Sequence, residues 1–484
     1  MNNRGLSIGE KAAYGIGAVG KDMVYMLSAS YVLYYFQDLL GVNSVAMGLI
    51  LLIARVFDAF NDPIMGVVVA KTHTRWGRFR PWLMIGTVTN AVVLFAMFAC
   101  PPSLDARGLV AYAAVTYILW GVTYTMMDIP YWSMIPAFTK GGKEREGLTT
   151  LARSCAGVGS ALVTIFTVKL VQTLGNAFAG TGVGDTAREI LGFKYFSLII
   201  AILFVVFIII TCATVKEQSL VDMKTASVGD MFKALVTNDQ AMTVVIAIVL
   251  INSSIYLTSN LVIYFFKYDF GGTTWGDSYT LFNMFGGGVQ IISMMAFYPL
   301  IRKFLSNVKI FYVCIISAIT GYTTLFVISF TDMSSVYILF IPGFFIFAAH
   351  GVLQVITTVF LANTVDYGEL KNGRRDESVI FSMQTFVVKL ASGIAAFAAS
   401  LCLQINNLQK DVEDTGEAID YSLSVAASAK LGLRMTMAII PVAGLIVALV
   451  VFYKKYILND EKLADITSRL EGNKNKDHWP DKFE

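Results

Sequence analysis

Residues 215–240, with the sequence VKEQSLVDMKTASVGDMFKALVTNDQ, form the longest polar stretch on the predicted cytoplasmic side ahead of the C-terminal tail. Long apolar stretches lie on both sides of it, each near the roughly 20 residues that an α-helix needs to cross a bilayer. They are divided six and six, which predicts an all-α membrane protein with twelve transmembrane helices. The stretches are 13–37, 44–70, 82–100, 109–137, 149–173, 195–214, 241–266, 277–301, 308–329, 336–364, 380–404 and 430–455.

The composition also predicts a protein embedded in a lipid bilayer. Of the 484 residues, 56% are hydrophobic and 15% are charged, whereas soluble domains are about one quarter charged. The 37 Lys and Arg residues against 34 Asp and Glu residues give a net charge of +3, which leaves no basic excess for a nucleic-acid partner. The five cysteines and three histidines lack the spacing of a metal site or disulfide framework, so we expect no cofactor.

The charges of the connecting loops predict the orientation. Every second loop is rich in basic residues, which are Lys71, Arg75, Arg78, Arg80, Lys140, Lys143, Arg145, Lys216, Lys224, Lys233, Arg302, Lys303, Lys309, Lys371, Arg374 and Arg375. The intervening loops have only Arg107, Arg188, Lys194, Lys267, Lys410 and Lys430. By the positive-inside rule, both termini are cytoplasmic in a multi-pass protein of the bacterial plasma membrane.

This pattern predicts four segments: a six-helix bundle at 1–214, a central cytoplasmic loop at 215–240, a second six-helix bundle at 241–456 and a cytoplasmic tail at 457–484. Two six-helix halves are typical of the major facilitator fold, in which the halves rock around a central cavity. On hydropathy alone, a twelve-helix protein of another fold is the alternative. We expect a functional monomer and assign no function to the tail.

Eight charged residues lie inside the predicted helices, where a charge is costly unless it is paired or hydrated. Four are acidic and four are basic, so the set can neutralise itself across a shared interior. Seven belong to the first half. We therefore expect the charged groups of the site there, and we expect the second half mostly to contribute the walls of the central cavity. The eight are Lys21, Asp22, Arg55, Asp58, Asp62, Asp128, Arg153 and Lys389.

Helix 2 contains ARVFDAFNDPIMG at 54–66, in which Arg55, Asp58 and Asp62 fall on one helical face. Two carboxylates one turn apart resist ionising together in a low dielectric, which favours a shared proton or a bound cation. Together with a nearby hydroxyl, they offer the oxygen ligands that a small cation prefers. The alternative, which need not exclude the first, is an ion-pair lattice that closes the two halves, with Arg55 and Lys389 as the partners.

Helix 4 contains TYTMMDIPYWSMIP at 123–136, which places Thr125, Asp128 and Trp132 on one face. The carboxylate can accept hydrogen bonds from sugar hydroxyls while the indole stacks on a pyranose ring. A tryptophan anchoring the helix at the membrane surface is the alternative. Helix 1 repeats the theme with Lys21, Asp22 and Tyr25, and we expect Lys21 to extend toward the cytoplasmic surface. The two helices together predict a sugar site.

Several strings carry a resemblance to a known family. They are GKD at 20–22, ARVFDAFNDPIMG at 54–66, RWGRFRPW at 75–82, YILWGVTYTMMDIPYWSMIP at 117–136, KEREGLTTLARS at 143–154, NTVDYGELK at 363–371 and MQTFVVKLASG at 383–393. From helix 1 through helix 11 the chain resembles the glycoside–pentoside–hexuronide:cation symporters of the major facilitator superfamily. The resemblance implies secondary active transport of a sugar together with a monovalent cation by alternating access.

The resemblance also implies roles for individual residues. It implies that the coupling cation, which we expect to be Na⁺ with Li⁺ or H⁺ as substitutes, binds at Asp58, Asp62 and Thr125. It implies a substrate site that, with Lys21 and Tyr25 added from the helix 1 pattern, comprises Lys21, Asp22, Tyr25, Asp128, Trp132, Arg153, Gln384, Thr385 and Lys389.

Two departures from the family leave the substrate open. Gln354 stands where a family member has a site tryptophan, and Ala29 stands where it has a tyrosine. We expect a glycoside such as a galactoside disaccharide. The alternatives are a proton-coupled pentoside or hexuronide symporter, for which Arg153 and Lys389 would pair with the substrate carboxylate, or an uncoupled facilitator or sensor. No Ser/His/Asp set or phosphate loop is present, so we do not expect an enzyme.

Overall fold

The computed structural model describes residues 6–135, 142–180, 183–215, 228–331, 333, 335–372, 377–408 and 420–476. Within these residues the chain is helical and contains no strand. Twelve long helices follow the predicted apolar stretches closely. They are α1 (Ile8–Leu33), α2 (Ser44–Lys71), α3 (Arg80–Phe98), α4 (Ala106–Ser133), α5 (Gly142–Phe178), α6 (Asp185–Thr214), α7 (Asp239–Phe265), α8 (Trp275–Ile292), α9 (Asn307–Ile328), α10 (Phe340–Asn372), α11 (Glu377–Ile405) and α12 (Ala427–Lys455).

Eleven helices of the described chain are long and apolar enough to cross a membrane. The exception among the twelve is α1, which has 26 residues but carries four charged ones, Glu10, Lys11, Lys21 and Asp22. Two of these charges are paired inside the protein, as shown below, so the low apolarity of α1 reflects its role in the site.

Short polar side chains begin several helices. Ser7 and Glu10 form a capping box at the start of α1, in which each side chain binds the other residue's backbone N–H. The Asn43 side chain accepts a hydrogen bond from the Ala46 N–H at 3.1 Å, and the Asp105 side chain accepts one from the Gly108 N–H at 2.9 Å. These caps satisfy backbone donors that the first turn of a helix leaves free.

Three of the long helices that the structure describes are followed directly by a π-helical turn, which for α8 is Ser293–Phe297. The turn Tyr34–Leu39 continues α1, and the turn Phe266–Phe270 continues α7. The sequence places Lys267 in a loop, and this prediction is wrong, because Lys267 lies inside the turn Phe266–Phe270 and is buried. Turns of this kind are rare and are frequently found at functional sites.

By packing, the chain forms two compact units that do not follow the order of the helices. The first unit comprises Met1–Thr225, Ser259–Met284 and Gly393–Thr436. In it α1 packs against α5 and α6, and α4 packs against α2 and α3. Tyr14 of α1 and Tyr131 of α4 stack at 4.4 Å between ring centroids, and each hydroxyl donates to the other residue's carbonyl.

The second unit comprises Ala226–Thr258, Phe285–Ser392 and Met437–Glu484. Its core is apolar and includes Phe311, Phe360 and Phe452, whose rings contact one another. A ten-residue helix, Val228–Thr237, lies within the stretch predicted as the central loop. The prediction that residues 215–240 separate six helices from six stays a prediction. Residues 216–227 lie outside the described chain.

The tail predicted at 457–484 contains a helix, Asp460–Lys476, that packs against α10. Its Asp460 carboxylate pairs with Arg302 at 3.5 Å. That this tail is cytoplasmic stays a prediction, and part of it packs on the rest of the chain, because Ile466 is buried.

Candidate functional site

Lys21 stands at the centre of the charged residues of α1 and α4. Its ammonium lies 2.7 Å from Asp128 Oδ1 and 3.1 Å from Asp22 Oδ2, and it donates to the Tyr124 hydroxyl at 3.0 Å. Only 4% of the residue is exposed. The expectation that Lys21 reaches the membrane surface was therefore wrong, because two carboxylates hold its ammonium inside the protein.

Trp132 lies between a carboxylate and a guanidinium. Its indole Nε1 donates to Asp128 Oδ1 at 3.1 Å, and the Arg153 guanidinium lies 4.0 Å from the ring centroid. The Lys21 ammonium is 5.1 Å from the same ring. Because Arg153 already stacks on one face of the indole, a sugar would use the remaining face or displace the guanidinium.

The predicted residues Lys21, Asp22, Asp128, Trp132 and Arg153 thus form one connected group. The structure adds two members that the sequence did not single out, which are Tyr124 and Ser160. The Ser160 hydroxyl of α5 lies 3.5 Å from Asp22 Oδ1. Ser160 lies seven residues beyond Arg153, which is about two helical turns, so a search along that face of α5 could have found it.

Tyr25 lies beside this group and forms part of an aromatic wall. Its ring centroid is 5.5 Å from that of Tyr124 and 6.2 Å from that of Trp120. Tyr25 also faces the Arg55 guanidinium at 5.9 Å, and Tyr117 does so at the same distance. The aromatic wall therefore connects the α1–α4 group to the charged face of α2.

Arg55 and Asp58 of α2 form a buried ion pair, with 3.2 Å between Nη1 and Oδ2. Their side chains are 6% and 7% exposed. Gly121 of α4 makes room for the carboxylate, because a Cβ at that position would lie 2.7 Å from Asp58 Oδ1. Arg55 is thus an ion-pair partner of Asp58, as the structural alternative expected, whereas the partner role of Lys389 in that alternative stays a prediction.

Asp62 has a different environment. It is half-buried, and its Oδ1 accepts a hydrogen bond from the Thr125 hydroxyl at 3.0 Å. Asp62 of α2 and the Thr125 hydroxyl of α4, which the resemblance assigns to one site, are therefore in contact. A carboxylate and a hydroxyl at hydrogen-bond distance supply oxygen ligands of the kind that a monovalent or small divalent cation takes.

The helix 11 residues belong to the second compact unit. Lys389 is half-buried on α11, and the side chains of Gln384 and Thr385 lie outside the described part of the chain. Gln354 of α10 lies 2.9 Å from His350 Nε2. The participation of these residues in substrate binding stays a prediction.

This constellation offers hydrogen-bonding groups and an apolar ring face for binding. In the part of the chain that the structure describes, no three His, Cys, Asp or Glu side chains are grouped so as to hold a metal ion. The carboxylates can accept hydrogen bonds from hydroxyl groups, the cations can donate to them, and the indole offers an apolar face. Such a mixture suits a polyhydroxylated ligand.

Comparison with known proteins identifies the family. Residues 13–460 match the family described as MFS/sugar transport protein. The chain is 26% identical over 493 residues to the raffinose carrier protein of Pediococcus pentosaceus, covering 99% of this chain and 73% of that protein. It is also 26% identical over 467 residues to the isoprimeverose transporter of Lactiplantibacillus pentosus, covering 95% and 91% of the two chains.

Solved structures agree on the fold. A bacterial homologue of the human lysosomal transporter Spinster superposes with a TM-score of 0.66 at 11% identity, covering 95% of this chain and 97% of that one. A D-xylose–proton symporter gives a TM-score of 0.58 at 13% identity, covering 93% and 98%. The predicted fold class and the resemblance to the sugar:cation symporters are confirmed. The chain belongs to the MFS/sugar transport protein family, as a multi-pass membrane sugar symporter and not an enzyme.

Proposed function

We propose that this symporter couples the entry of Na⁺ to the accumulation of an uncharged glycoside, such as a galactoside disaccharide, by alternating access. The observation that carries the proposal is the buried Lys21 ammonium held between Asp22 and Asp128, beside the indole of Trp132. Sugar hydroxyls can take over contacts that Lys21 now makes. The proposal includes both termini in the cytoplasm of a bacterium and a functional monomer.

The charges of the site favour an uncharged sugar. Lys21 and Arg153 balance Asp22 and Asp128, so this group has a formal charge of zero. A hexuronide would add an uncompensated negative charge to it, and burying such a charge is costly. These four residues by themselves therefore fit a neutral glycoside better than a sugar acid, whereas a contribution from Lys389 would favour the hexuronide alternative.

The charges of α2 favour a single monovalent cation. Arg55, Asp58 and Asp62 sum to a formal charge of −1. One Na⁺, Li⁺ or H⁺ would balance that charge. We assign the cation to Asp62 and Thr125, whose oxygens are adjacent, with Asp58 on the same helical face. The two carboxylates therefore do not contribute equally to the proposed cation site, because Asp58 already has Arg55 as its partner.

The names of the relatives support the same substrate class. They include a raffinose carrier and the lactose permease of Lactobacillus delbrueckii subsp. bulgaricus, which is 26% identical to this chain over 472 residues. Raffinose and lactose both contain a galactose unit. A pentoside is the second candidate, because the isoprimeverose transporter has the same level of identity.

The test is uptake into proteoliposomes containing the full chain, with a panel of radiolabelled galactosides, pentosides and hexuronides. An inward Na⁺ gradient should drive accumulation of a galactoside above its outside concentration. Accumulation driven only by a proton gradient would establish the proton-coupled alternative. Equilibration without accumulation under either gradient would mean an uncoupled facilitator, and no movement of any sugar would favour a sensor.

A further inference from the structure

A second group of buried charges lies outside the sugar and cation residues. The Lys267 ammonium, in the π-helical turn after α7, lies 2.7 Å from Asp38 Oδ2 in the π-helical turn after α1. The two side chains are 3% and 0% exposed. The Tyr268 hydroxyl donates to the other oxygen of Asp38. We call Asp38, Lys267 and Tyr268 the clasp.

Aromatic rings surround the Lys267 ammonium on several sides. The distances from Nζ to the ring centroids are 4.6 Å for Tyr421, 4.9 Å for Tyr34, 5.6 Å for Tyr268 and 5.8 Å for Trp275. Each ring attracts the ammonium through its π face. The ammonium also donates to the Tyr34 hydroxyl at 2.9 Å.

The clasp extends to two further helices. The Tyr34 hydroxyl donates to Glu189 Oε2 of α6 at 2.6 Å. Asp269, which follows the clasp in sequence, accepts two hydrogen bonds of 2.7 Å from Arg434 of α12. The consecutive residues Lys267, Tyr268 and Asp269 are therefore hydrogen-bonded to the turn that follows α1 and to α12. A bidentate guanidinium pair of this kind is among the stronger contacts available to a protein.

The packing of the chain supports a special role for this end of α7. Residues Ser259–Met284 belong to the first compact unit, whereas Ala226–Thr258 belong to the second. Helix α7 is thus divided between the two units, and the clasp lies in the part that packs with the first six helices. Alternating access requires helices of the two six-helix halves to part at one end.

We propose that the clasp is a lock that holds the ends of α1 and α7 together in one access state, and that transport requires the Asp38–Lys267 pair to separate. The proposal rests on the proposed transport function. Separating the two charges while both stay buried would leave each without its partner, which is costly, so the pair holds the closed arrangement until water reaches it. The same helix α1 carries Lys21 and Asp22, so movement at the lock is transmitted directly to the sugar site.

The test measures the distance between spin labels at Ser103→Cys and Thr273→Cys, two exposed loop positions, in the full chain with its native cysteines replaced. Lys267→Met should shift the population from a short to a longer distance by about 100-fold in the equilibrium constant. The double variant with Asp38→Asn removes the unpaired charge but also lacks the pair, so its shift toward the longer distance should be smaller than that of Lys267→Met without returning to the parent's value.

Tyr268→Phe provides a milder variant in case Lys267→Met does not fold. It deletes only the hydroxyl that contacts Asp38, and we expect a shift of about 3- to 10-fold in the same direction. An unchanged distance distribution in folded Lys267→Met, or in Tyr268→Phe when that is the variant obtained, would overturn the lock. Because the distances are read without sugar or Na⁺, a failure of sodium-driven uptake would reject the proposed function and leave this result standing.

Discussion

At the scale of single residues, Lys21 explains how one site can be stable when empty and still bind a sugar. Two half-buried carboxylates close together would be costly without a cation, and the ammonium between them offsets that cost. A bound sugar must replace part of what Lys21 provides, so only a ligand with hydroxyls at the right positions recovers the lost hydrogen bonds. Selectivity follows because a missing hydroxyl leaves a buried charged group short of a partner.

The first prediction tests the carboxylate on α4. Asp128→Asn keeps the shape of the side chain but removes the charge that contacts Lys21, so sugar affinity should fall about tenfold or more. Calorimetry or tryptophan fluorescence with the accepted sugar gives the affinity. Asp277→Asn is the matched control, because that carboxylate is exposed in a pair with Lys169 and exposed pairs contribute little. Equal affinity in both variants would exclude Asp128 from the site.

The second prediction tests the hydroxyl beside Asp62. Thr125→Val keeps the volume and removes the oxygen, so the Na⁺ concentration for half-maximal stimulation of uptake should rise about three- to tenfold. Thr125→Ser retains the hydroxyl and should stay close to the parent. Sugar binding measured without Na⁺ should be similar in all three proteins. A value for Thr125→Val equal to that of Thr125→Ser would remove this hydroxyl from the cation site.

At the scale of the helices, close packing fixes where the site residues lie. Gly159 of α5 touches the backbone of α1 near Val19, two residues before Lys21, and an added Cβ would overlap the Val19 carbonyl oxygen. Small residues at such crossings allow membrane helices to approach closely. The position of Lys21 therefore depends on a residue of another helix that carries no functional group.

The third prediction follows from this contact. Gly159→Ala should lower the free energy of unfolding by about 1–3 kcal/mol, because α1 and α5 must move apart. Gly157→Ala on the same helix meets nothing within 4 Å and should be neutral or stabilising by up to about 1 kcal/mol through helix propensity. Thermal unfolding in detergent compares the two. A Gly159→Ala protein as stable as Gly157→Ala would show that the helices tolerate the extra methyl group.

At the scale of the whole molecule, hydropathy predicted the helices well because crossing a bilayer demands long apolar stretches. The charged residues of α1, α2 and α4 were also predictable, since charge inside such a stretch stands out. The partners Asp38 and Lys267 are 229 residues apart in sequence. Both lie at helix ends, where a charged residue does not interrupt an apolar stretch and so does not stand out in a hydropathy profile. The second half also contributes charges that the sequence did not single out, since Lys267 and Asp269 are buried and Arg434 is half-buried, whereas the expectation that it supplies mainly the walls of the substrate site stays a prediction.

The last prediction concerns orientation, which the alternation of basic loops indicates but packing cannot determine. Cysteines introduced at Ser103 and Thr331, in loops poor in Lys and Arg, should react with an impermeant thiol reagent added outside intact cells. His73→Cys, in a loop with several basic residues, should react only after the membrane is permeabilised. All three positions are exposed, so a difference in labelling reports the side of the membrane and not burial. If His73→Cys reacts from outside and the others do not, the termini are extracellular. Because the Na⁺ gradient and not the orientation of the protein sets the direction of net transport, the proposed coupling would stand, and only the assignment of the loops to the two sides of the membrane would change.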